Sequence, residues 1–419
     1  MFNETVQKLN NVSKDTEAVS SSKAAVFTRF YYGNTWAKLA PVIRTLAPSG
    51  KVTCVYTKAS FEKFGAETHK LIVALTGKPY DFVVDADFVG ENGETRYFPS
   101  TDDAGKLLCA AENARFVLTF DNELFGLVTY AAMIAKIPAA IVLTSAGFCD
   151  VVPSRTILKN GQSFEYVKVR APRYVILDEN IAANTDVAGA YCSVISRLAD
   201  FADYRIARAA GISETDKRAY SLMKDSVSSA FGIFSLSKTE RAERILTDKL
   251  TAELANLASD GQLSDYSAVR NASRLCLTRG LKKESESPYI FRRIMGLLDL
   301  CLSGEYDEIV ETPDYLMRAD KLAVLTGSDD GVFLKAFKRQ RDLLSANEKA
   351  VHKIKQTLKD EIKAQNAAAE KSLQTYFALG GRDETNKAEI NAAVKYCGDL
   401  ERTFNSMTLV RESGIAEYF

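Results

Sequence analysis

The chain has 419 residues, 46% of them hydrophobic and 26% charged, which is length and apolar content enough for two domains with sizeable cores. Its 54 basic residues are matched by 54 acidic ones, and this zero net charge gives no electrostatic case for a nucleic-acid partner or an anionic membrane surface. Only two histidines, His69 and His352, are present, so a metal centre built on an imidazole cluster is hardly available.

In chain order, residues 1–22 are polar and of mixed charge, and read as a flexible arm or a weak amphipathic helix without a signal- or transit-peptide pattern. AAVFTRF and KVTCVYT read as strands. TWAKLAPVIRTLAP lies between them as a helix, with Trp36, Leu39, Ala40, Ile43 and Leu46 at helical spacing and a stop at Pro48. A helix over Ser60–Thr76, closed by Gly77 and Pro79, precedes the strand DFVVDADF. TDDAGKLLCAAENA follows as a helix opened by a Thr/Asp cap. Then comes Arg115–Gly147, RFVLTFDNELFGLVTYAAMIAKIPAAIVLTSAG, with the outline strand, tight turn, helix, proline, strand of a nucleotide-binding βαβ crossover. Its two strands are apolar throughout, as a sheet buried on both faces requires. RYVILD, ending at Asp178, is the last strand. Strands alternating with helices over residues 23–180 predict a doubly wound, mostly parallel, Rossmann-like α/β domain.

From residue 181 to 419 apolar residues recur at three and four, predicting an all-helical second domain. Its most charged segment, SANEKAVHKIKQTLKDEIKAQNAAAEKSLQTYFALGG, reads as one long helix with Ala350, Ile354 and Leu358 on its buried side. No run nears the roughly 20 apolar residues of a membrane span, since Lys136 and Pro138 interrupt the most apolar region. The seven cysteines form no C-x-x-C pair and read as reduced, mostly buried thiols of a cytoplasmic protein.

Particular words then point to a family. AGAYCSVISRLADFADYRIARAAG (Ala188–Gly211) resembles the helix that opens the second domain of sn-glycerol-1-phosphate dehydrogenases, which belong with glycerol dehydrogenase, iron-containing alcohol dehydrogenases and dehydroquinate synthase. Within it, Ala202 to Ala207 is similar to the family's Ala-Asp-Trp-Lys-Leu-Ala. RAPRYVILDENI (Arg170–Ile181) resembles the strand entering that domain. AAIVLTSAGFCDVVPS (Ala139–Ser154) resembles the family's Pro-Thr-x-x-Ser-x-Asp-Gly loop, and the C-terminal segment from AAVKYCGDLERTFNSMTLVRESG onward resembles the family's tail. The resemblance implies an NAD(P)-binding domain followed by a helical, metal-holding domain.

The chain departs from the family pattern where the chemistry lies. The pyrophosphate turn, Gly-Gly-Gly in the family because a Cβ would meet the phosphates, reads Phe120-Asp121-Asn122 here, with Gly126 where a later aspartate is expected. Asp121 or Asn122 reads most simply as the cap of a helix over Glu123–Lys136. The acidic residue that grips the ribose is replaced by Thr57-Lys58-Ala59-Ser60. Ser193 stands where the family's metal-binding aspartate is expected, and neither AVRNASRLC nor SPYIFRRIMG supplies the histidines, so no metal is expected.

What remains is Asn122, Thr144 and Ser145 as cofactor-contacting candidates and Asp150 as the candidate catalytic residue, grouped at the C-terminal ends of the strands. The resulting expectation is a pseudoenzyme that binds a small polyol or phosphorylated ligand, or a protein partner. Two alternatives stand beside it. One is an NAD(P)-dependent oxidoreductase acting on a polyol phosphate such as glycerol 1-phosphate. The other is a metal-independent enzyme reusing the interdomain cleft with Asp150 as acid or base. The resemblance also implies a homodimer.

Overall fold

The computed structural model describes residues 2–19, 28–84, 88–89, 95–96, 99–145, 151–152, 155–161, 163–212, 221, 238–258, 267–278, 283–304, 312–381, 387–400 and 404–418. The chain divides into two compact units, Met1–Ala190 with Phe231–Asp260, and Tyr191–Ala230 with Gly261–Phe419.

In the first unit α1 (Phe2–Val19) precedes β1 (Arg29–Gly33), α2 (Thr35–Leu46), β2 (Lys51–Thr57), α3 (Lys58–Ala74) and β3 (Lys78–Val84). A short ribbon of β4 (Phe88–Val89) and β5 (Thr95–Arg96) leads to α4 (Thr101–Ala110), β6 (Ala114–Thr119), α5 (Phe125–Ala135) and β7 (Ala139–Leu143). A hairpin of β8 (Arg155–Asn160) and β9 (Ser163–Lys168) comes before β10 (Tyr174–Asp178) and α6 (Ile181–Asn184). Six strands form one sheet in the order β1-β10-β7-β6-β2-β3, every neighbouring pair parallel. This is the doubly wound parallel sheet expected from the alternation.

Period-two packing builds both faces of the sheet. Val52, Cys54 and Tyr56 of β2 join Phe116 and Leu118 of β6 and Leu39 and Ile43 of α2 in one core. Val55 and Val117, one residue out of phase, join Leu107 of α4 and Leu127 and Val128 of α5 in the other. Pro79 does not stop the preceding helix but lies inside β3, which tolerates it because an edge strand leaves one row of ladder positions unpaired.

Residues read as an arm or a weak amphipathic helix form helix α1, whose Val6 and Leu9 are buried with Phe30, Leu143 and Leu177. That burial depends on a distant element. After α7 (Val187–Ile195) and α8 (Arg197–Ala209), helix α9 (Lys238–Ala258) belongs to the first unit, and its Leu246, Leu250 and Leu254 complete the same core.

The second unit is helical: α8, α10 (Ala268–Thr278), α11 (Lys283–Ser303), α12 (Tyr315–Thr326), α13 (Asp330–Ala346), α14 (Glu348–Ala378), α15 (Lys387–Tyr396) and α16 (Ser406–Glu412). The charged segment is the single helix α14. Its buried stripe runs through Val351, Leu358, Ile362, Ala369, Leu373 and Tyr376, whereas Ala350 is exposed and Ile354 only half-buried. Steps of seven, four and three keep these residues on one face where Ala350 would rotate off it. Among the described residues no helix is long and apolar enough to cross a membrane.

Candidate functional site: the crevice between β2 and β6

Strand β2 continues through α3 to β3 on one side, while β6 continues through α5 to β7 on the other. Their carboxyl ends therefore flank the point where the winding reverses, the place in such a sheet where a ligand crevice forms. The two chain ends that meet there are Thr57-Lys58-Ala59-Ser60 and Phe120-Asp121-Asn122.

Phe120 is a core residue. Its ring stacks on Phe64 at 4.8 Å and on Tyr56 at 6.1 Å, and lies tilted against Trp36 at 5.8 Å, so α2, α3 and β2 all grip it. That grip fixes the position of the next residue. The Asp121 carboxylate reaches across to the start of α3, where Oδ2 accepts the Thr57 backbone N–H at 2.8 Å and Oδ1 accepts the Thr57 hydroxyl at 3.0 Å. The Ser60 hydroxyl donates to the same carboxylate. Thr57 also caps α3 by accepting the Ser60 N–H at 3.3 Å.

The expected local cap is thus corrected. Asp121 makes no side-chain cap to its own helix, which opens on a 3₁₀ turn over Asn122–Leu124, and instead anchors the neighbouring helix. The carboxylate is drawn there because the first N–H groups of α3 carry a partial positive charge. Burial pushes the Asp121 carboxyl above its ordinary value, with the bonds from Ser60 and Thr57 pulling the other way.

Asn122 turns to the opposite neighbour. Its Nδ2 donates to the Ser145 carbonyl at 2.9 Å and to Ser145 Oγ at 3.1 Å, tying the end of β6 to the end of β7. The Thr144 carbonyl accepts from Asn184 Nδ2 at 3.3 Å. The structure thus brings Asn122 and Ser145 into contact, with Thr144 alongside; Asp150 lies outside the described residues. Asn122 Oδ1 is buried without a hydrogen-bond partner, an acceptor facing no donor of the protein. Further along the same end of the sheet, Asp178 accepts the Thr35 hydroxyl at 2.6 Å and the Asn180 N–H at 2.9 Å, and Glu179 accepts from Asn34. The charged groups fixed where β6 and β10 end are carboxylates.

Gly126 has a packing reason. A Cβ there would lie 1.9 Å from Thr156 Oγ1, because the β8–β9 hairpin presses on α5. Lys58 is exposed at the first turn of α3. His69 pairs with Asp81 across α3 and β3 at 2.6 Å, and His352 is exposed beside Gln356 on α14. Ser193 is half-buried on α7, and its carbonyl accepts the Ser196 hydroxyl at 3.1 Å. Among the described residues no three His, Cys, Asp or Glu side chains come together to hold a metal ion.

Sequence reasoning did not find the partners of Asp121, nor the role of Asp203. Asp203 is fully buried on α8 and accepts the Ala268 N–H at 2.7 Å and the Ser406 N–H at 2.8 Å, so it joins the first turns of α10 and α16. The Ser406 hydroxyl donates to it as well. Burial pushes its carboxyl up to about 7 against these three bonds. Two of the stretches that resemble the family, around Ala202–Ala207 and in the C-terminal tail, are those this carboxylate connects.

No protein-family model matches the chain, and no curated protein matches its sequence. Solved structures do. An iron-containing alcohol dehydrogenase from Thermotoga maritima superposes with a TM-score of 0.52 at 13% identity, over 94% of this chain and 98% of that one. An iron-containing alcohol dehydrogenase from Thermococcus thioreducens gives 0.54 at 12% identity, over 94% and 98%. The fold is that of the iron-containing alcohol dehydrogenases. NADH-dependent butanol dehydrogenase A from Thermotoga maritima shares it, with a TM-score of 0.53 at 14% identity over 93% of this chain and 96% of that one. The likeness fixes the architecture, and the chemistry rests on the side chains at the crevice.

Proposed function

We propose that this chain keeps the iron-containing alcohol dehydrogenase fold without its metal-dependent hydride transfer, and that it binds a small hydroxyl-rich ligand at the carboxyl ends of β6 and β7. The observation that carries this reading is the seat of Asp121. A dinucleotide pyrophosphate needs bare backbone N–H groups and positive potential at a helix start. Here the turn that opens α5 carries a side-chain carboxylate instead, held in place by the Thr57 N–H and the hydroxyls of Thr57 and Ser60, and it repels a second anion. The groups present do not fit a pyrophosphate, and the donor set of the described residues does not fit a catalytic metal.

The orphan Asn122 Oδ1 supports the positive half of the proposal, because a buried acceptor without a donor is satisfied by a ligand hydroxyl and not by a phosphate oxygen. Of the ligand classes the resemblance implies, neutral polyols suit this crevice better than their phosphates. Thermal-shift titration tests this with glycerol and longer polyols, glycerol 1-phosphate, NADH and NADPH in parallel, since a ligand that binds only the native state raises its stability. The proposal expects saturable stabilisation by a polyol, reduced in Asn122→Ala, which removes the acceptor, and none by either dinucleotide. Saturable stabilisation by NADH or NADPH, or no response to any polyol, overturns it.

A further inference from the structure

The sheet of the first unit carries a charge asymmetry that its crevice does not use. Where β6 and β10 end, the fixed charges are Asp121, Asp178 and Glu179. At the opposite end a basic residue stands within three positions of the start of every strand of the sheet: Arg29, Lys51, Lys78, Arg115, Lys136 and Arg173. Here α5, the turn after it and the segment entering β10 line an open cavity of about 240 Å³.

Three of its lining residues are charged, Lys136, Arg170 and Arg173, and all three are cations. The carbonyl end of α5 accounts for Lys136, which sits in the left-handed position that closes the helix. It does not account for Arg170 and Arg173, which belong to no helix. Arg170 Nε is buried without a hydrogen-bond partner, and a buried guanidinium N–H with no acceptor is a state proteins avoid. Like charges around so small a space repel one another unless an anion lies between them. The guanidinium fork matches the oxygens of a phosphate, and the other walls, Leu46, Met133 and Ile137, are apolar.

We propose that this cavity binds a small phosphate monoester, its phosphate held by Arg170 and Arg173 with Lys136, and its organic part against Leu46, Met133 and Ile137. The site is separate from the crevice reading, since Arg170 and Asp121 lie at opposite ends of the sheet's strands, and either can fail without the other. Calorimetric titration of the full chain with phenyl phosphate and inorganic phosphate tests it. Phenyl phosphate is expected to bind saturably and more tightly than inorganic phosphate, and Arg170→Gln is expected to weaken it by at least about tenfold with an unchanged circular dichroism spectrum. Arg173→Gln carries the same expectation should Arg170→Gln fail to fold. No saturable binding by the wild type, equal affinity for both probes, or undiminished affinity in the folded variants overturns the proposal.

Discussion

Replacing Asp121 by asparagine changes one oxygen for an amide and removes the charge at the β2–β6 crevice. The introduced amide retains an acceptor for the Thr57 N–H, so the loss in stability is limited to about one hydrogen bond, ~1 kcal/mol. The effect on anions is larger. A phosphate at the turn that opens α5, about 4 Å from the carboxylate, would be repelled by ~1 kcal/mol at the dielectric of water and ~4 kcal/mol at an effective value near 20. Asp121→Asn should therefore strengthen NADH or pyrophosphate binding by between ~5-fold and ~1000-fold over the wild type.

Fluorescence titration with NADH and calorimetry with pyrophosphate read the gain directly. The pH dependence gives an internal check. Burial raises the folded-state carboxyl above its unfolded value, so the stability Asp121 contributes is greatest at low pH and is lost as pH rises through the folded value. The stability gap between wild type and Asp121→Asn should consequently narrow with rising pH. Equal anion affinity in the two proteins would refute the view that this carboxylate excludes the phosphate.

Three further substitutions test the packing within each unit by itself. Asp203, pushed up to about 7 by burial, holds its proton more tightly when folded, so it costs the wild type roughly 4 kcal/mol of stability as pH rises from about 4 to about 7. Urea unfolding should show that slope in the wild type and lose it in Asp203→Asn; parallel slopes would contradict the assignment. Gly126→Ala drives a Cβ into Thr156 and should cost about 1–3 kcal/mol, partly recovered in the double variant with Thr156→Gly, as a double-mutant cycle would show. Asp399→Ala leaves two fully buried arginines, Arg318 and Arg411, without the carboxylate they share, and should lower stability by about 3–5 kcal/mol in denaturant unfolding.

The elements written plainly in the sequence are those whose signal is local. KVTCVYT becomes β2 without a shift of boundary, because a continuous β-branched and aromatic run between turn residues has few other uses in a buried sheet. Pro79 misleads because only the strand order reveals that β3 lies at an edge. Helix α1 is legible as amphipathic but not as docked, since the leucines of α9 that cover Val6 and Leu9 lie more than two hundred residues away in sequence. The crevice obeys the same logic. A single sequence offers Asp121 a cap on the helix that follows it, whereas its bonds go to Thr57, 64 positions back. Thr57 is an N-cap residue type that marks the receiving end, and nothing local links it to Asp121.

A hydride-transfer assay separates a retained fold from a retained reaction more sharply than any substitution. The purified chain, supplied in turn with zinc, iron or nickel, is incubated with NAD⁺ or NADP⁺ and with glycerol, glycerol 1-phosphate or butanol, and absorbance of the reduced cofactor is followed. With Asp121 seated at the start of α3, no reduction above the rate without protein is expected for any combination. Metal-dependent reduction of either cofactor that scales with protein concentration would contradict the proposed loss of the reaction.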